Sequence, residues 1–288
     1  MRKYLNAART QTAYQLFSKG AMITFALLLA LVLMNFIGNV NEFRGYDRVE
    51  MYHPMKMLLL SYNRTCYSAD LALVLIQLVP LVICLPAGLS LVTEQHSGEM
   101  ILAVSRLGAR TYIWSKLIAA FMTTFIVFTL PFLIEIVLNC LSFPLGAIGD
   151  FSNLDTYSPS FEDMTAAYSL SGLYGISPYL YAVVCTFGLG VLTGLLAAVT
   201  VAVSAVIKVK YSVTLILPAF LLLEATVYLG LGDGWYDYIL FFNNGHGEVS
   251  DALVFVLPAA AFTAFGAENI LLRDSRRSHS CGRLGYFG

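Results

Sequence analysis

Charge is what this sequence has least of. Only 12% of its 288 residues are Asp, Glu, Lys or Arg, against about a quarter in an ordinary soluble domain. With 58% hydrophobic residues and a mean hydropathy of +0.73, that scarcity excludes a soluble globular enzyme, because such a chain needs lipid as its solvent. A net charge of −1 and a pI near 6.4 argue against a nucleic-acid partner. Several chemistries are missing too. The four histidines (His53, His96, His246, His279) all fall outside the long apolar runs, which disfavours a haem site or a histidine relay. There is no HExxH, no GxSxG and no pair of acids on one helix face. No GxxxxGK[ST] occurs, so any ATP-driven work is powered by another chain. The run Gly188-Leu-Gly-Val-Leu-Thr-Gly194 has no strand before it and is not a dinucleotide fingerprint, but Gly190 and Gly194 form a GxxxG pair suited to helix packing. The five cysteines show no metal spacing. Cys84 and Cys185 read as inert core residues, and a disulfide between Cys66 and Cys140 is left open.

What is present is a set of apolar runs of membrane length, at about 21–38, 71–92, 113–138, 179–206, 213–231 and 251–272. They predict an all-α membrane protein of six transmembrane helices forming one domain over residues 1–288. About 20 residues precede the first run and no small-x-small site follows it, so a retained span is expected rather than a cleaved leader. The stretch Asp233–Phe242 is apolar but too short to cross, and its Trp and Tyr suit a re-entrant segment between spans five and six. Residues 1–19 differ. Leu5, Ala8, Thr12 and Leu16 recur at helical spacing with Tyr4 and Phe17, while Arg2, Lys3, Arg9, Gln11, Gln15 and Lys19 take the other face, as in an interfacial amphipathic helix. Five of the nine prolines (Pro80, Pro86, Pro131, Pro218, Pro258) interrupt spans, where each frees a carbonyl.

Lys and Arg set the orientation. With both termini in the cytoplasm, the inner segments hold thirteen of the seventeen, leaving Arg44, Arg48, Lys56 and Arg64 outside. A multi-pass protein of the cell membrane with N and C termini cytoplasmic is therefore expected. Twelve of the 18 acids fall in the outer segments. The tyrosines of those segments read either as aromatic belts or as the lining of a vestibule. Glu135 and Glu224 are acids inside spans, and both must face protein or a wet cavity rather than lipid. Two readings of them stay open, structural hydrogen bonding or the lining of a substrate cavity.

The first inner loop, residues 93–112, carries the most information. Glu94-Gln-His-Ser-Gly98-Glu99-Met-Ile-Leu-Ala-Val-Ser-Arg106 leads through Gly108 and Arg110 to Lys116 at the next span. A short helix bearing Met100, Ile101 and Leu102, flanked by Glu94, Glu99, Arg106 and Arg110, suits a docking knob with a charged rim. The other reading is a helix lying on lipid, with Lys116 reaching headgroups. The loop resembles that of the ABC-2 type permease family: Glu-x3-Gly, a short helix, a turn with Arg, then Lys opening a span. That family commonly has Pro ahead of the Arg where this chain has Gly108, so the register around Arg110 stays open.

The resemblance implies that the short helix is a cytoplasmic coupling helix docking on an ABC ATPase. It implies two ATPase copies, ATP and magnesium bound by that subunit and not by this chain, and a second permease copy, either identical or a paralogue. It also implies export of an amphipathic peptide, toxin, drug-like molecule or lipid, with similarity to small bacterial permeases of peptide export or self-immunity. Two other classes stay open. One is an ion-coupled secondary transporter using Glu135 and Glu224, and the other a membrane scaffold or immunity protein without transport.

Overall fold

The computed structural model describes residues 2–44, 54–60, 82–88, 90–143 and 176–206, with single positions at 71, 74, 75, 78, 79, 145 and 173. Among these, every regular element is helical. Helix α1 spans Arg2–Leu16 and ends ahead of Ser18. The Ser18 hydroxyl accepts the Ala21 N–H at 3.2 Å, which caps α2, Lys19–Phe43. A short 3-10 turn covers Pro54–Met57, and a π-helical turn covers Cys84–Gly88. Then follow α3 (Ser90–Ser97), α4 (Glu99–Leu107), α5 (Ala109–Ser142) and α6 (Pro178–Val206).

Among the described residues three helices are long and apolar enough to cross a membrane: Lys19–Phe43, Ala109–Ser142 and, within α6, Pro178–Ala202. They coincide with the first, third and fourth apolar runs. The fifth and sixth runs, the short segment 233–242 and Glu224 lie outside the described residues. The helices overrun the apolar stretches that announced them. Helix α5 has 34 residues, about 51 Å at 1.5 Å per residue, against about 30 Å of hydrocarbon. Hydropathy marks the part that needs lipid, whereas helical hydrogen bonding continues into polar flanks such as Arg110, Thr111 and Tyr112.

Helix α5 is the central element, with α1, α2 and α6 all packed on it. One apolar cluster joins Leu28, Val32, Leu75, Phe128, Phe132 and Leu189. A smaller one, around Leu91, Tyr112, Leu117 and Val201, sits beneath the 93–112 loop. Small residues set how closely the helices approach. A Cβ on Gly190 would lie 2.1 Å from Thr129 Oγ1, and one on Gly194 would lie 2.9 Å from the Phe121 carbonyl oxygen. The GxxxG face of α6 is thus the face turned to α5.

Helix α1 lies on the bundle differently from its expected amphipathic pattern. Ala7, Ala8 and Gln15 are buried, whereas Tyr14 and Phe17 are exposed. Gln15, expected on the polar face, donates to Ser90 Oγ at 3.3 Å and accepts from Thr123 Oγ1 at 3.5 Å. The alanines let α1 approach α5 closely, and a carboxamide that meets two hydroxyls can be buried without loss. Phe17, expected with the apolar set, follows the end of α1 and points away.

Candidate functional site: the 93–116 loop and its anchor

Glycine defines the loop's two corners. Gly98 has φ 77° and ψ −2°, the left-handed conformation, and Gly108 has φ 83° and ψ 144°. The first is tolerated by few residues other than glycine and asparagine, and the second lies at the edge of a region that only glycine occupies readily. A Cβ at either position would meet nothing within 4 Å, so backbone conformation and not crowding selects glycine. Between the corners α4 runs for nine residues. It is closed at its start by the Ile101 N–H on the Gly98 carbonyl (3.2 Å) and at its end by the Gly108 N–H on the Val104 carbonyl (2.8 Å). Glu99 in the first turn and Arg106 in the last both complement the helix dipole.

No residue of α4 is buried. Its inner side, Met100, Ala103 and Val104, rests half-buried on the small cluster formed by α3, α5 and α6. Its outer side carries Ile101 and Leu102, which are 75% and 64% exposed, with Ser105 and Arg106 beside them. The knob expected from Met100, Ile101 and Leu102 is therefore divided by the helical repeat. Ile101 and Leu102 face out, and Met100 faces in.

The charged rim divides in the same way. Glu99, Arg106 and Arg110 are exposed. Glu94 and Lys116 are turned toward each other, and Lys116 is only 1% exposed. The Lys116 ammonium pairs with Glu94 Oε1, and the Tyr112 hydroxyl donates to Glu94 Oε2. Both oxygens of one carboxylate are thus held from successive turns of α5, since positions 112 and 116 share a helix face. Lys116 does not reach for headgroups as the lipid-lying reading supposed. An ammonium removed from water needs a carboxylate, and Glu94 supplies one from the middle of α3. The pair ties the two ends of the loop together while α4 stands proud between them. Beside it an open cleft of about 280 Å³ is lined by Thr10, Gln11, Tyr14, Glu99, Tyr112 and Lys116, among others.

Glu135 lies on the same helix, 19 residues beyond Lys116 and so about 28 Å along the axis. It is 1% exposed. Its Oε1 accepts the Asn35 amide and the Leu59 main-chain N–H, each at 2.7 Å. Asn35 and Asn39 both donate to the Met57 carbonyl, at 3.0 and 2.8 Å, and Asn139 donates to the Pro54 carbonyl at 3.5 Å. Two asparagines on α2, and Glu135 with Asn139 on α5, therefore seat the turn at 54–60 against the bundle. Glu135 faces this packing, where its carboxylate holds the Leu59 main chain and the Asn35 amide. Cys140, one turn further on, is a free thiol, and Cys66 lies outside the described residues.

Residue type alone did not mark Tyr112, Asn35, Asn39 and Asn139 for these roles. The available signal was the spacing: Asn35/Asn39, Glu135/Asn139 and Tyr112/Lys116 each place polar groups one helical turn apart in otherwise apolar surroundings. No family model matches the chain, nor does any curated protein or solved structure.

Proposed function

We propose that this chain is the membrane subunit of an ATP-driven exporter of the ABC-2 type, with six spans, a re-entrant segment and both termini in the cytoplasm of a cell-membrane protein. In this reading a separate ABC ATPase, in two copies, binds ATP and magnesium. This chain pairs with a second permease copy and moves an amphipathic peptide, toxin, drug-like molecule or lipid outward. It performs no chemistry of its own.

One observation carries the reading. Helix α4 exposes Ile101 and Leu102 on a stand with no buried residue, and its base is locked to a membrane-length helix through Glu94, Tyr112 and Lys116. Two adjacent large aliphatic side chains exposed on one short helix suit an apolar docking contact. A helix that must receive a push needs this arrangement: an apolar contact outside, and a charged, rigid attachment to the element that moves. Three helices of membrane length among the described residues supply such elements.

The test is coupled hydrolysis. The chain is co-expressed with the ATPase encoded in the adjacent reading frame, and the pair is reconstituted into liposomes. ATP hydrolysis that depends on the permease and falls to the background of the ATPase alone in Ile101→Asp/Leu102→Asp is the expected result. Hydrolysis indifferent to the permease, or an adjacent frame encoding no ATPase, overturns the reading.

A further inference from the structure

Where α2, the 54–60 turn and α5 meet, the oxygens outnumber the groups that could satisfy them. Glu135 carries a carboxylate that is 1% exposed, and the partners of its Oε1 are a carboxamide and a main-chain N–H, both neutral. Asn35 and Asn139 are fully buried, and the Oδ1 of each has no hydrogen-bond partner. The Asn35 amide cannot be turned over to relieve this. Its nitrogen already serves two acceptors, Glu135 Oε1 and the Met57 carbonyl, and a flip would set oxygen against oxygen at both. Asn139 lies one turn beyond Glu135, about 6 Å away on the same face. Its own nitrogen points at the Pro54 carbonyl. The Met57 carbonyl is occupied by two donors, whereas Pro54 receives one long bond.

Buried polar groups are almost always satisfied, and a buried charge is compensated. A proton on Glu135 would neutralise the carboxylate, but it offers one donor to two orphaned carboxamide oxygens. A single metal cation lying between these side chains would satisfy the carboxylate and both carboxamide oxygens at once. We propose that Glu135, Asn35, Asn139 and the Pro54 carbonyl hold one sodium ion, which fastens the 54–60 turn to α2 and α5. The donor set is oxygen only, which selects a hard cation. It contains a single carboxylate, so a monovalent ion leaves the buried site neutral where a divalent one would leave it positive. Among the described residues no group of three His, Cys, Asp or Glu side chains could hold a metal ion, which excludes the usual multi-carboxylate and transition-metal arrangements here. The ion is structural, and the inference stands apart from the export reading: it requires neither ATPase nor substrate.

The experiment is equilibrium binding of radioactive sodium to the detergent-purified full-length chain at constant ionic strength, with choline chloride as the replacement salt. Wild type should bind one ion per chain, saturably, displaced by unlabelled sodium but not by choline. Sodium should also raise its unfolding temperature. Asn139→Ala should weaken binding at least tenfold, and Glu135→Gln should abolish it along with the sodium-dependent part of the unfolding temperature. Wild-type protein that binds no sodium saturably overturns the proposal even if every variant fails to fold. So does a stability that follows pH and ignores sodium, which would make the occupant a proton. Unchanged binding in Glu135→Gln also overturns it, by placing the ion elsewhere.

Discussion

The Lys116 ammonium and the Glu94 carboxylate form an ion pair across the 93–112 loop, with Lys116 almost wholly removed from water. Because Tyr112 takes the second carboxylate oxygen, α3 and the start of α5 are tied together at the base of α4.

Breaking that pair on one side should be worse than removing it altogether. Lys116→Met leaves the Glu94 carboxylate with the Tyr112 hydroxyl alone, and Glu94→Gln leaves a buried ammonium. Each single change should cost about 3 kcal/mol, because an uncompensated charge remains. The double variant should recover most of the loss. Thermal unfolding in detergent for the four proteins gives the coupling directly. Additive losses would show that the two groups do not form a pair.

The loop corners test conformation against crowding. Gly98→Asn should be nearly neutral, since asparagine tolerates the left-handed region, whereas Gly98→Val should cost about 1–2 kcal/mol. Gly108→Ala should cost about 1–3 kcal/mol by the same logic. Denaturation of the solubilised chain reads each cost. A well-tolerated Gly98→Val would mean that Gly98 does not hold a positive φ.

The two sides of α4 should separate binding from folding. Met100→Ala removes a half-buried contact and should lower the unfolding temperature. Under the proposed export function, Ile101→Ser and Leu102→Ser should leave it unchanged, yet weaken assembly with the ATPase more than tenfold. An equal effect of all three on assembly would place the docking surface elsewhere.

The two glycines of α6 should respond differently to rescue. Gly190→Ala collides first with the Thr129 hydroxyl, a side chain, and should be partly relieved by Thr129→Ala. Gly194→Ala meets the main-chain oxygen of Phe121 as well as its ring. Phe121→Ala should therefore not relieve it, and a loss of about 1–3 kcal/mol from overpacking should persist. Full rescue of Gly194→Ala would mean that the α5–α6 approach is looser than the structure has it.

Orientation is open to impermeant maleimide labelling in a background without native cysteines. Ser105→Cys, on the exposed side of α4, should label only after lysis, and Leu145→Cys, exposed beyond α5, should label in intact cells. The reverse pattern would invert the topology.

Composition alone marked this chain for lipid, and its apolar runs marked where three long helices stand among the described residues. Lys19–Phe43, Ala109–Ser142 and Pro178–Ala202 all contain runs visible in the sequence, because transfer of some 20 apolar residues outweighs every local detail. Gly98 and Gly108 were visible as glycines of the loop, but that backbone conformation selects them came only with their positive φ. The sequence could not say where polar side chains inside those helices would point. Glu94, Lys116 and Glu135 were visible as charges in costly places, but charge alone does not name a partner. Lys116 found Glu94 rather than a headgroup, and Glu135 found Leu59 and Asn35, because distant turns of chain were brought within hydrogen-bonding distance. Met100 parted from Ile101 and Leu102 because α4 was rotated by packing on Tyr112 and Val201. Burial cost is a local quantity that can be read from residue type. The compensation for it is a relation between residues far apart in sequence, and only the packed helices supply that relation.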